Sequence, residues 1–125
     1  MSSTKQTFLQ QLDNFVNELH AIFPNNKEIG VFREKYMMLK KANSKIIVDY
    51  FIEFIYPHKD NILNCNEMFF LEGGGQDDIK EDSGLQFRDN IKKLWENEMS
   101  EDNKKIVWKY FKVFILLCEK MIKEN

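Results

Sequence analysis

The most pronounced pattern of apolar and polar positions lies between Ser100 and Lys123. Projected at about 100° per residue, Ile106, Val107, Trp108, Tyr110, Phe111, Phe114, Ile115, Leu117, Cys118, Met121 and Ile122 cover about 200° of a helical wheel. Lys105, Lys109, Lys112, Glu119, Lys120 and Lys123 fill the remainder. A helix apolar over more than half its circumference has to be packed from two sides, so this segment reads as the hub of a bundle or half of an interface. Ser100 is the expected N-cap, Glu101 and Asp102 suit the positive end of the helix dipole, and Lys120 and Lys123 suit the other end.

Four further helices are predicted upstream. Phe8, Leu12, Phe15, Val16, Leu19, Ile22 and Phe23 recur at helical spacing and define a first helix from about Thr4 to Phe23, stopped by Pro24. Asn25 followed by Glu28 has the form of a capping box for a second helix, 26–42, with a weaker stripe of Ile29, Phe32, Tyr36 and Leu39. Gly30 weakens that helix near its start. Asn43 and Ser44 break the pattern, and a third, nearly all-apolar helix follows from Lys45, its polar edge marked by Lys45, Asp49 and Glu53. Pro57 is expected to end it and to bias Tyr56 away from helical angles. Between His58 and Leu71 one or two short turns should tuck Ile62 and the Met68-Phe69-Phe70 group under the bundle. A fourth helix beginning near Ser83 or Gly84 carries Phe87, Ile91, Leu94 and Trp95 on one face. The fold class is therefore all-α: a compact bundle of about five helices in one domain, 1–125, with a flexible acidic, Gly-rich loop at 72–82.

Composition adds boundaries to this picture. With 125 residues, 43% apolar and 30% charged, the chain is long enough to bury a core, and eleven Phe make that core ring-rich. A net charge of −2 argues against a protein that coats nucleic acid. Cys65 and Cys118 lack metal-type spacing and read as reduced thiols, which suits a cytoplasmic location. The N-terminal MSSTKQTFLQQLDNF has no unbroken apolar core for export, and the longest apolar run, Val113 to Cys118, is far short of a membrane span.

Candidate chemistry is sparse. His58, Asp60 and Cys65 lie close in sequence, but their spacing fits neither a metal site nor a nucleophile with its base, and His20 sits at the edge of an apolar stripe. Asp77, Asp78, Glu81 and Asp82 lack the ligand order of a calcium loop, and Gly73, Gly74 and Gly75 lack the Lys-Ser or Lys-Thr of a phosphate loop. No catalytic residue, cofactor or metal is expected. Two lysine-rich clusters, Arg33, Lys35, Lys40, Lys41 and Lys45 around the second helix and Lys104, Lys105, Lys109 and Lys112 on the fifth, would bind phosphates only if folded onto one face. Surplus hydrophobicity is the stronger signal: Val48 and Ile52 border the third helix's polar edge, and Leu116 lies inside the Lys109/Lys112/Lys120 stripe.

The segments IYPHKDNI, MFFLEG and IKKLWENEMSEDNKKIVWKYFKVFILL occur in an order that resembles short all-helical proteins of nucleocytoplasmic large DNA viruses, the mimivirus-like group. A Leu-Trp helix leads into an Ile-Trp-Lys-Tyr helix there, matched here by Leu94, Trp95, Trp108, Lys109 and Tyr110 across residues 46–118. The resemblance implies a viral origin, with a host-cytoplasmic or virion location, and carries no activity. The sequence thus points to a non-catalytic helical interaction or scaffold protein whose surface includes Val48, Ile52, Lys105, Lys109, Lys112 and Leu116. Its partner would be another protein or a second copy of the chain, and no membrane is expected. The alternative is a nucleic-acid-binding accessory protein using the two lysine clusters.

Overall fold

The computed structural model describes residues 3–72 and 87–124 and contains no strand among them. Its helices are α1 (Thr4–Ile22), α2 (Lys27–Tyr50), α3 (Lys59–Leu63), α4 (Met68–Glu72), α5 (Phe87–Asn97) and α6 (Glu101–Glu124), with a π-helical turn, Phe51–Ile55, and a 3₁₀ turn, Tyr56–His58, joining α2 to α3. The all-α architecture is as expected. Residues 73–82 of the acidic loop and the expected start of the fourth helix near Ser83 lie outside the described residues.

Helix boundaries follow local polar chemistry. A capping box opens α1: Ser3 Oγ accepts from the Gln6 amide at 3.1 Å, while the Ser3 amide donates to Gln6 Oε1 at 2.9 Å. At α2 the cap is Asn26, one residue later than expected, its Oδ1 accepting from the Ile29 amide at 3.2 Å. Glu28 turns away to face Lys93 at 3.7 Å and completes no capping box with Asn25. Ser100 caps α6 as predicted, its Oγ accepting from the Asn103 amide at 3.2 Å.

Asn43 leaves the helical region (φ −162°, ψ 84°), so α2 consists of two straight parts, 27–42 and 44–50, at the predicted break. The second part runs into the π turn and does not stop at Pro57. Tyr56 stays helical at φ −58°, ψ −36°, contrary to the bias before proline, and its N–H donates to the Phe51 carbonyl five residues back. In a regular α-helix the Pro57 ring would collide with the Glu53 carbonyl, and the widened turn upstream relieves that contact. Proline then starts the 3₁₀ turn, where its missing N–H costs nothing.

A Schellman motif ends α3. The Asn66 amide donates to the Asn61 carbonyl at 2.8 Å and the Cys65 amide to the Ile62 carbonyl at 3.1 Å, with Cys65 at φ 54° in the left-handed position. Asn66 Oδ1 then accepts from the Met68 amide at 3.1 Å and starts α4. These two turns bury Ile62, Phe69 and Phe70 as predicted, whereas Met68 and Leu63 face outward.

The buried side chains form one cluster drawn from every helix. At its centre α6 lies antiparallel to α1: Thr4 Oγ1 donates to Glu124 Oε2 at 2.7 Å at one end, and Tyr110 Oη to Glu18 Oε2 at 2.8 Å nearer the other. The nearly all-apolar segment from Lys45 is a natural candidate for the hub's neighbour. Phe51 does meet Phe114 at 5.5 Å, but α1 lies along α6 over the greater length. Beyond Phe111 a second ring cluster begins, with Phe70 stacked on Trp95 at 4.4 Å and Trp95 edge-on to Trp108 at 5.3 Å. Glu67 accepts from Trp95 Nε1 at 3.1 Å and draws Lys104 over the indole face at 5.1 Å, giving these buried rings a polar edge.

Gly30 lies inside α2, and a methyl group there would meet nothing within 4 Å. Gly30→Ala should therefore raise stability by about 0.5–1 kcal/mol, because it removes unfolded-chain entropy without strain. A thermal melt shifted upward by a few degrees checks this; an unchanged or lower midpoint would contradict it.

Candidate interaction surface

The outer side of α6 is set by its inner side. Val107, Trp108, Phe111, Phe114, Ile115, Cys118 and Met121 are all buried, which fixes the rotation of the helix and turns Lys105, Lys109, Lys112, Leu116 and Lys120 outward. Leu116 is 60% exposed in the middle of this stripe. Among the described residues Lys105, Lys109 and Lys112 form no ion pair, unlike Lys104, which is held by Glu67 and Glu101 at 3.5 and 3.6 Å.

Beside the stripe, the seam between α1 and α6 opens into a groove of about 290 Å³ lined by Gln11, Glu18, Ile106, Lys109, Tyr110 and Val113. Tyr110 spans it. Desolvation, reinforced by its hydrogen bond to Glu18 and by that carboxylate's charge, pushes the phenol pKa up to about 12. The bond therefore persists through the physiological range with Glu18 as the acceptor. Ile106 and Val113 give the groove apolar walls, and the Lys109 side chain joins it to the stripe.

The structure brings together Lys105, Lys109, Lys112 and Leu116 of the expected surface. Val48 and Ile52 are not part of it. Val48 is only 8% exposed and Ile52 is half-buried against the core, because the bend at Asn43 and the π turn rotate this segment inward. Sequence reasoning missed the groove: of its lining only Ile106 and Tyr110 belong to the wide apolar arc, and the clue is that they form one flank of an arc too wide for a single neighbour. It also missed Val31 and Met38, the latter 72% exposed on the far side of α2 from Ile29 and Tyr36.

The two lysine clusters do not merge. One flank of α1 supplies Asn17 and Asp13 to Arg33 and Lys40 of α2, at 2.8 Å for each pair, while its other flank meets α6 through Glu18. Thus α1 stands between the clusters, and Lys45 is paired with Asp49. In a larger cleft of about 380 Å³ between the start of α2 and the end of α5, Glu28 faces Lys93 at 3.7 Å and Glu98 accepts from the Asn26 side-chain amide at 3.2 Å.

Around the sequence cluster His58, Asp60 and Cys65, the His58 ring packs on Phe69 at 5.4 Å, and Cys65 is exposed at its helix end. Among the described residues no three His, Cys, Asp or Glu side chains converge as metal ligands, and no helix is long and apolar enough to cross a membrane. The two thiols should behave oppositely. Burial pushes the Cys118 thiol up to about 12 and closes it to reagents, whereas Cys65 is open. A disulfide reagent is expected to titrate Cys65 alone in the folded protein and Cys118 only after denaturant is added, with Cys65→Ser removing the first phase. Two native-state equivalents reacting at similar rates would contradict this burial.

No protein-family model, curated protein or solved structure matches the chain.

Proposed function

We propose that this chain is a non-catalytic interaction protein that binds a protein partner through the outer side of α6. The observation carrying this reading is Leu116, exposed in the middle of a lysine stripe whose Lys105, Lys109 and Lys112 form no ion pair among the described residues, beside an apolar-walled groove. A buried apolar anchor ringed by charged groups is the usual anatomy of a specific contact, in which the anchor supplies affinity and the charges supply orientation and encounter rate. The viral resemblance of residues 46–118 would place that partner in an infected cell or a virus particle.

The test compares proteins retained from the source cell by the wild-type chain and by Leu116→Asp combined with Lys109→Glu. All changed positions point to solvent, so the circular dichroism spectrum should be unchanged. Proteins held by the wild type should be lost from this variant and kept by Met38→Asp, which alters a comparable apolar position on α2. Identical retention by all three would reject the α6 surface.

A further inference from the structure

Resting on the α6 surface as the contact, we infer that its occupant is an acidic amphipathic helix from a different protein, and not a second copy of this chain. Lys105, Lys109, Lys112 and Leu116 stand at i, i+4, i+7 and i+11, a straight row about 16 Å long. A second copy laid antiparallel with Leu116 on Leu116 would set Lys112 against Lys120 and Lys109 against Lys123. A parallel copy would set each lysine against itself. Either arrangement opposes lysines at two or more positions, offset only where Glu119 holds Lys123 of its own helix at 3.8 Å, so this surface disfavours pairing with itself.

A helix with carboxylates at the same i, i+4, i+7 spacing would meet the Lys105, Lys109 and Lys112 ammonium groups in turn. Its apolar side chain would enter the groove between Ile106 and Val113, over the Tyr110 ring. The groove is suited to an apolar group and not to another carboxylate, because Glu18 already places a negative charge in it, held by Tyr110. A lipid surface is a poorer fit, since Leu116 alone offers little apolar area for insertion, and so is a nucleic acid, since the stripe itself carries neither Arg nor an aromatic residue.

The probe is a synthetic helical peptide of Ala, Leu and Glu, about 15 residues long, with Glu at that spacing, titrated into the full ¹⁵N-labelled chain. Controls are the Glu→Gln peptide, anionic phospholipid vesicles and a short DNA duplex. The Glu peptide should shift the amides of Ile106, Lys109, Tyr110, Val113 and Leu116. Binding should weaken at least about tenfold with the Gln peptide or with Lys109→Glu/Lys112→Glu, and should fall as salt rises. Equal binding of the Gln peptide, shifts elsewhere, tighter binding of vesicles or duplex at these residues, or self-association abolished by Leu116→Asp would each overturn the inference. If the Glu peptide fails while Leu116→Asp still releases a cellular partner, the acidic-helix inference falls and the α6 surface stands; if neither has an effect, both fall.

Discussion

Phe114→Ala is expected to cost about 3–5 kcal/mol. Phe114 is fully buried on the inner side of α6, and its ring sits edge-on to Phe8, Phe15, Phe51 and Phe111 at 5.5–5.7 Å. Those four rings come from α1, the π turn and α6 itself, so truncation opens a cavity where three segments meet. The surrounding rings cannot collapse into that space, because each is fixed by other rings: Phe8 by Phe51 at 5.2 Å, and Phe111 by Phe70 at 5.2 Å. Transfer and cavity terms therefore both apply, along with the lost edge-to-face contacts. For a domain whose total stability is roughly 5–15 kcal/mol, this is at least about a fifth of the whole. Urea denaturation should show a midpoint shifted far down with the slope unchanged. Phe114→Leu, which refills part of the volume, should lose only about 1–2 kcal/mol. A Phe114→Ala loss below about 1 kcal/mol would mean that this ring junction is not the core of the fold.

The same helix shows how far sequence reasoning reaches. Its apolar arc was legible because 3.6-residue periodicity acts residue by residue, and Ser100, Asn43 and the short turns around Ile62 were legible because caps and breaks depend on local polar groups. Pro57 was not, since steric bias before proline is a preference of under a few kcal/mol that the buried Ile55 and Ile62 on either side override. Val48 was misplaced for a related reason: its exposure depends on the rotation imposed by Asn43 and the π turn, which a wheel drawn for an unbroken helix cannot contain. Four of the six expected surface residues share one side because all four lie on a single straight helix. The groove beside them depends on the register of α1 against α6, and that register is fixed by pairs such as Glu18 with Tyr110, 92 residues apart.

Asp13→Ala carries the second large effect, about 2 kcal/mol. Asp13 Oδ1 accepts from Tyr36 Oη at 2.6 Å, and Lys40 Nζ reaches its two oxygens at 2.9 and 2.8 Å, so one carboxylate ties α1 to α2. Tyr36 is almost wholly buried; without Asp13 its hydroxyl keeps, among the described residues, only the Leu9 carbonyl at 3.4 Å. Losing a charge-assisted bond from a buried donor costs about 1.5–3 kcal/mol, whereas Lys40→Ala, at a partly exposed ion pair, should cost under about 1 kcal/mol. Tyr36→Phe removes the stranded hydroxyl, so the double variant Asp13→Ala/Tyr36→Phe should be more stable than the sum of the single losses predicts, by about 1 kcal/mol. Strict additivity in denaturant titrations would show that the bond contributes nothing. The same contact predicts an alkaline limb. Burial first, then the hydrogen bond and charge of Asp13, raise the Tyr36 pKa far above its ordinary value near 10. Above about pH 10 the unfolded chain releases this proton while the folded chain keeps it, so the folded state binds more protons and stability falls as pH rises. Tyr110, at about 12, contributes in the same direction, and Cys118 begins lower, near the ordinary thiol value of about 8.5. Tyr36→Phe should flatten the fall above pH 10 while leaving the earlier thiol-linked decline in place, and an unaltered slope would show that the phenol titrates alike in both states.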